Sequence, residues 1–148
     1  MSRIPQIPVI LRRLQGFRWE DVPDAEYKPA GDHFRNVRRV NLAGMRGENT
    51  TFHVRYFEIG SDCFTSREHH QHEHVIVVLR GEGELLIGDT WQTLHFGDVA
   101  YVPPGASHQL RNNFDEPFGF LCVVDTHRDR PVVENSSPGE DEDSLCRS

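Results

Sequence analysis

The sequence predicts an all-β fold, an antiparallel sandwich or barrel, on the strength of three observations. Short segments rich in β-branched and aromatic residues follow one another between Thr51 and Val124. Clusters of Gly, Pro and Asn separate these segments at regular intervals, which is typical of strands joined by tight turns. No helical apolar period of any length competes with this pattern. We therefore expect a chain of short strands and no long helix.

Seven segments have the composition of strands, and Gly88-Asp89 and Gly97-Asp98 are two of the turns between them. The segments are Phe52–Ile59, Val75–Leu79, Glu84–Ile87, Trp91–Leu94, Val99–Val102, Ser107–Arg111 and Phe118–Val124. Eight of their apolar side chains are expected to line the interior: Phe52, Tyr56, Val77, Leu79, Leu86, Tyr101, Phe120 and Val123.

The length of 148 residues suits one domain, with flanks of different composition. Proline and glycine punctuate residues 1–50 too often for a long element, so we predict an N-terminal arm that packs on the barrel or on a partner subunit. Residues 51–133 are predicted to form the barrel. Residues 134–148 are acidic and Ser-rich with few apolar side chains, so we expect a disordered tail.

Charge and hydropathy exclude several classes of partner. The formal net charge is −7, whereas a nucleic-acid surface needs clustered Lys and Arg, so we expect no nucleic acid. No apolar run approaches the length of a membrane-spanning helix, and we expect no membrane association. The N-terminal stretch is interrupted by Pro5 and Pro8 and lacks the continuous apolar region of a signal peptide. A cytoplasmic protein is the expectation.

Four of the nine histidines lie in the segment Glu68-His69-His70-Gln71-His72-Glu73-His74, directly before the most apolar strand. Imidazole and carboxylate groups at alternating positions are ligands for Zn, Fe, Mn, Ni or Co. The alternative interpretation is a solvated polar loop. In an extended chain residues 68, 70, 72 and 74 would share one face, and His69 would point away.

Neighbouring residues of one strand cannot all surround an ion, so a further ligand is expected from another strand. His108 is the candidate. It stands in the pattern Gly97, five residues, Pro103, one residue, Gly105, two residues, His108, three residues, Asn112. This spacing fills every fixed position of the second motif of the cupin superfamily, and in this respect the sequence resembles a cupin.

The first cupin motif carries His-x-His and then a Glu before a glycine. With the register set on Gly81, the His-x-His positions fall on Glu68 and His70, and the Glu position falls on His74. Glu68 and His74 therefore exchange the two ligand types, and both keep a metal-binding atom. The leading glycine of the motif departs from the pattern, since Gly60 lies two residues too early.

A looser likeness extends to small bacterial single-domain cupins, the cupin 2 type of conserved barrel. It covers Tyr27-Lys28, Arg55–Glu58, Phe120–Val124 and Arg128–Pro131. The resemblance implies an antiparallel double-stranded β-helix, which is a jelly-roll-like barrel.

The resemblance also implies one divalent metal ion, Fe, Mn, Ni or Zn, held by Glu68, His70, His74 and His108. Four protein ligands leave two open positions on a six-coordinate ion, where substrate or O₂ could bind. This implies an enzyme of dioxygenase, isomerase or decarboxylase type acting on a small oxygen-bearing molecule. The alternatives are a non-catalytic small-molecule-binding or sensor protein and a structural barrel with an adventitious ion. The arm and the exposed sheet edges indicate a homodimer.

Two neighbouring residues have alternative interpretations. His72 is either a ligand or a residue that lines the pocket, and we favour the second because the register set on Gly81 passes over it. Cys122 lies in an apolar strand and is expected to be a packed small side chain rather than a nucleophile.

Overall fold

The structure is a computed structural model and describes residues 6–25, 27 and 35–134. These residues form thirteen β-strands: β1 Arg13–Leu14, β2 Arg18–Trp19, β3 Asp24–Ala25, β4 Arg35–Ala43, β5 Phe52–Phe64, β6 Glu68–His69, β7 His74–Arg80, β8 Gly83–Ile87, β9 Thr90–Leu94, β10 Val99–Val102, β11 His108–Asn112, β12 Phe118–Asp125 and β13 Val132–Val133.

Every strand pairing in the described part of the chain is antiparallel. The predicted all-β antiparallel fold is therefore confirmed. Across the described ranges the chain has no helix long and apolar enough to cross a membrane. Apart from Glu134, the tail expected to be disordered lies outside the described residues.

The main sheet curls into two halves that share strand β5. Strands β4, β5, β12, β7 and β10 lie side by side in one half, and β9, β8, β11, β6 and β13 are connected in the other. Residues 52–59 of β5 pair with β12, whereas Cys63 and Phe64 pair with β11. Asp62 lies between these stretches with a φ of 58°, a left-handed conformation that redirects the strand. This change of direction lets one strand belong to both halves.

The N-terminal segment packs on the outer face of the barrel. The ring of Phe17 stacks on Tyr56 at a centroid distance of 5.7 Å, and the ring of Trp19 meets Tyr56 edge-on at 5.0 Å. The segment expected to be an arm also supplies the nine-residue strand β4, which pairs along β5. Residues before position 50 thus contribute to the main sheet as well as covering it.

Alternation along β7 decides which side chains face the interior. His74, Ile76 and Val78 are buried, and the residues between them are only partly so. The prediction of the interior was wrong for six side chains. Tyr56 is buried, but on the outer face beneath Phe17 and Trp19. The other five are exposed or half-buried: Phe52, Val77, Leu79, Tyr101 and Val123. The reason is that a strand places alternate residues on opposite faces, so the inward position of His74 turns Val77 and Leu79 outward.

The interior has two ends of different character. We call one the apolar end, and its buried residues are Ile59, Val78, Leu85, Phe118 and Phe120. We call the other the polar end, and its buried residues are Arg55, Glu68, His70, His74 and His108.

Candidate metal centre

Two separate segments of the chain contribute the candidate ligands at the polar end. Glu68 in β6 and His108 at the start of β11 are cross-strand partners. After β6 the chain bends at residues 71–72 and enters β7 at His74. The backbone N–H of Gly105 donates a hydrogen bond to the carbonyl oxygen of His70 at 2.7 Å. The bend before His108 is therefore attached to the histidine segment, which places the two predicted motifs side by side.

The three predicted histidine ligands converge through the same ring nitrogen. His70 Nε2 lies 3.2 Å from His108 Nε2 and 2.8 Å from His74 Nε2. The structure therefore brings His70, His74 and His108 around a common point inside the barrel, which is the arrangement on which the sequence interpretation depended.

The opposite ring nitrogens fix the orientation of these imidazoles. His70 Nδ1 lies 2.6 Å from the carbonyl oxygen of His72, and His108 Nδ1 lies 2.9 Å from that of Ala106. A carbonyl oxygen only accepts hydrogen bonds, so in each neutral ring Nδ1 carries the proton. Both Nε2 atoms then present lone pairs to each other. Such an arrangement is repulsive without a cation between the nitrogens, and it is the form in which histidine binds metals.

Burial keeps two of these rings in the neutral form. It lowers the pKa of His70 to about 4, with a further contribution from the neighbouring His108. It also lowers the pKa of His74, which is surrounded by His70, His108 and Arg55. Both imidazoles are therefore deprotonated near neutral pH, as metal binding requires.

Glu68 completes a compact group of donor atoms. Single ligand atoms of Glu68, His70 and His108 all lie within 4.8 Å of one another. The Ser66 hydroxyl donates to Glu68 Oε2 at 2.8 Å and orients the carboxylate. Three imidazoles and one carboxylate suit a divalent transition metal, so the donor set fits the ion that the sequence implied.

His72 lies on the rim of this group. Its ring stacks on that of His70 with centroids 3.7 Å apart, and it lines the adjoining cavity. One ring nitrogen of His72 also lies within 4.8 Å of donor atoms of His70 and His74. The sequence interpretation that His72 lines the pocket agrees with this position, and its ligand atom remains within reach of the same ion.

A carboxylate that the sequence analysis did not single out holds the histidine segment. Asp129 accepts the backbone N–H of Gln71 at 2.8 Å and that of His72 at 3.0 Å. It also lies 2.9 Å from His72 Nδ1. The hydrogen bond from Gln71 is the largest of the effects that lower the pKa of Asp129. The sequence signal was its place in the Arg128–Pro131 likeness, although spacing alone did not link it to residue 72.

His69 in the histidine segment and Cys122 in β12 differ in whether they contact the donor group: the first does not contact it and the second does. His69 points away from the donor group and contacts Glu134 at 3.0 Å, as expected from alternation. Cys122 is buried, as predicted, but it also contacts the centre, since its Sγ lies 2.8 Å from His74 Nδ1. Burial raises the pKa of the Cys122 thiol, which keeps it protonated.

The donor group opens onto a cavity of about 230 Å³. Glu68, His74 and His108 line it, and Phe57 and Phe120 contribute apolar wall. Three arginines also line this cavity: Arg39, Arg55 and Arg128. Sequence reasoning missed them, because three arginines far apart in the chain form no local motif.

Comparison with known proteins agrees with this architecture. The cupin domain family model matches residues 56–124. A cupin 2 conserved barrel domain protein from Rhodopseudomonas palustris superposes with a TM-score of 0.78 at 32% identity, over 86% of this chain and 88% of that chain.

Two named enzymes are similar in sequence. The 1-methylthio-D-xylulose 5-phosphate methylsulfurylase of Rhodospirillum rubrum is 36% identical over 118 residues, which is 79% of this chain and 74% of the relative. The glucose-6-phosphate isomerase of Pyrococcus furiosus is 35% identical over 75 residues, covering 45% of this chain and 40% of that protein. Given the two meeting motifs, the antiparallel barrel and relatives that match most of its length, this chain belongs to the cupin family.

Proposed function

We propose that this cupin is a metal-dependent enzyme that acts on a small oxygen-bearing molecule. Glu68, His70, His74 and His108 would hold one divalent ion, Fe, Mn, Ni or Zn. The observation that carries the proposal is the approach of three imidazoles through Nε2, with two of their Nδ1 atoms held by carbonyl oxygens.

The ion, when bound, would polarise a substrate oxygen as a Lewis acid. The residues of the chain would do the rest. The fixed tautomers of His70 and His108 keep their Nε2 lone pairs available, and Ser66 holds the Glu68 carboxylate in place. Phe57 and Phe120 exclude water from one wall of the cavity, which strengthens electrostatic interactions within it.

The relatives indicate which substrates to test first. The Rhodospirillum rubrum protein is named for a xylulose 5-phosphate derivative, and the Pyrococcus furiosus protein for glucose 6-phosphate. Both names describe phosphorylated sugars. A phosphorylated ketose is therefore our first candidate substrate, since its carbonyl and adjacent hydroxyl could occupy two neighbouring positions on an ion.

Metal binding is tested before catalysis. The untagged protein is stripped with a chelator and titrated with Mn, Fe(II), Ni and Zn, and bound metal and Tm are measured. We expect one ion per chain and a raised Tm, because a ligand that binds only the folded state stabilises it. The double variant His70→Ala/His108→Ala should lose both effects. His95→Ala, at an exposed histidine outside the cavity, is the matched control. Equal metal binding by the double variant would refute the proposed centre.

Catalysis is tested on the loaded protein by following phosphorylated ketoses by NMR, together with O₂ consumption on diols and 2-oxo acids. Turnover that requires the ion supports the enzyme. Saturable binding of these compounds without turnover favours the second candidate, a sensor or binding protein.

The expected homodimer is retained as part of the proposal. Strand β10 lies at one end of the strand path in the described sheet. Phe96, Val99 and Tyr101 on and beside it are exposed, and they form the apolar surface that a second copy would cover.

A further inference from the structure

The arginines of the cavity have no role in holding a metal, and in the part of the chain that the structure describes two of them have no carboxylate partner. Arg55 is only 9% exposed. Among the described residues, its Nε atom is buried without a hydrogen-bond partner. Its Nη2 donates to the Cys122 sulfur at 3.4 Å, and its guanidinium lies 5.0 Å from the centre of the Phe57 ring. A thiol and an aromatic ring do not neutralise a full positive charge.

Arg128 faces the same space from the loop after β12. Its Nη1 contacts His53 Nδ1 at 2.8 Å and the carbonyl oxygen of Asp125 at 2.9 Å, and these contacts hold the guanidinium in place. Within the described ranges, no carboxylate lies within ion-pair distance of Arg55 or Arg128. Other arginines of the chain, such as Arg80 and Arg111, do have carboxylate partners.

The positive charges also act on one another. Burial, and then the charges of Arg55 and Arg39, lower the pKa of Arg128. Like charges gathered in a partly buried cavity destabilise the folded chain unless an anion joins them. Proteins keep such an arrangement where it binds a ligand, and guanidinium groups match phosphate oxygens in pairs of hydrogen bonds.

Strand register places this cationic group next to the candidate metal centre. Arg55 pairs with Cys122 of β12, and Cys122 pairs with Ile76 of β7. His74 lies two residues before Ile76 and therefore on the same face. The contact between Cys122 and His74 joins the two groups directly. One small molecule in the cavity can thus contact both the arginines and the candidate metal centre.

We propose that Arg55 and Arg128 bind the phosphoryl group of the substrate and direct its carbonyl end toward His74 and His108, an inference that rests on the proposed function. Arg39, which lines the same cavity, adds positive potential there. The two arginines bind and orient the substrate and take no part in bond breaking.

The test uses inorganic phosphate on the full chain after the metal has been removed, so that phosphate cannot bind through an ion. Affinity is measured by calorimetry for the wild type, Arg55→Met, Arg128→Met and the control Arg46→Met, an exposed arginine outside the cavity. We expect phosphate to bind the wild type and the control alike. Each cavity variant should bind at least about tenfold more weakly, because hydrogen bonds to charged groups contribute this much.

Arg55→Lys keeps the charge and guards against a variant that fails to fold, and circular dichroism is recorded for every protein. Wild-type affinity in both Met variants, or no phosphate binding by the wild type, overturns the inference. Bound metal is measured on parallel samples of the wild type. Metal binding without phosphate binding would refute the arginine site alone. Phosphate binding without metal binding would refute the proposed metal centre and would still support the arginine site.

Discussion

The apolar and polar ends of the barrel interior are built from the same strands, but one end packs apolar side chains and the other buries polar and charged groups. Strand β7 contributes His74 to one end and Val78 to the other, and β5 contributes Arg55 and Ile59 in the same way. At the apolar end the buried rings of Phe118 and Phe120 pack with their centroids 5.1 Å apart, and Phe120 also borders the cavity of the polar end. At the polar end the Nε2 atoms of three buried histidines converge beside a cavity.

The difference shows that the two ends contribute to different properties. Tight apolar packing stabilises the folded chain, since each buried side chain leaves water. Gathered imidazoles and guanidinium groups cost stability unless ligands join them. Asn112, the last residue of the second motif, shows the contrast. It is fully buried near the apolar end, but its amide donates to the carbonyls of Ile59 and Glu116 and its oxygen accepts from Phe114, so its polar groups are satisfied within the chain.

The largest effect is expected from emptying the apolar end. Phe118→Ala removes a side chain with no exposed surface and should lower the free energy of unfolding by about 3–5 kcal/mol. Urea denaturation monitored by circular dichroism measures the change. Met45→Ala, at a side chain that is 40% exposed and outside the proposed dimer surface, is the control and should stay within about 0.5 kcal/mol of the wild type. An equal decrease in the free energy of unfolding for the two variants would show that packing at the apolar end does not stabilise the fold.

A smaller loss is expected from overfilling the same end. A Cβ added at Gly83 would meet the ring of Phe118, so Gly83→Ala should cost about 1–3 kcal/mol. Combining it with Phe118→Leu makes room for the methyl group. The double variant should therefore lose less than the sum of the two single changes, and simple additivity in the same denaturation experiment would contradict the predicted contact.

At the polar end, Asp129→Asn should weaken metal binding by about tenfold or more with little change in the unfolding midpoint. The carboxylate holds the backbone at Gln71 and His72, and loss of a group that orients metal ligands has this size of effect. Titration of the stripped protein with Mn or Zn measures it. Asp115→Asn, an exposed carboxylate elsewhere, serves as the comparison, and matched affinities in the two variants would remove Asp129 from this role.

The smallest effect is a pH dependence of the metal-free protein. The pKa of His70 in the folded chain is lowered to about 4. As the pH falls, the His70 imidazole is therefore protonated near pH 6.5 in the unfolded chain but only near pH 4 in the folded chain. The unfolded state binds more protons in this window, and stability is therefore full above about pH 6.5 and falls toward pH 4. Urea midpoints between pH 6.5 and 4.5 measure the slope. His70→Gln should flatten it, and an unchanged slope would show that the His70 ring is not the buried neutral group described.

The sequence predicted much of the fold, because strands and turns depend on local patterns, and the resemblance to the cupin motifs implied the set of four candidate ligands. Turn residues and strand composition mark where strands begin and end. The spacing from Gly97 to Asn112 indicates that His108 follows a bend, and the bend contacts His70. Which apolar residues face inward was predicted less well. Residues 75–79 are continuously apolar, so their composition does not reveal the phase of alternation, and only the inward position of His74 settles it.

By itself, the sequence determined the strand-and-turn order and the clustering of imidazole and carboxylate ligands, since these follow from the identities and spacing of nearby residues. Only the tertiary structure decided that Arg55 and Arg128 share a cavity with those ligands, and that Asp129 reaches back to residues 71 and 72. The physical reason is that strand register and the path of the loop after β12 set contacts between residues more than fifty positions apart, and no local pattern records such contacts.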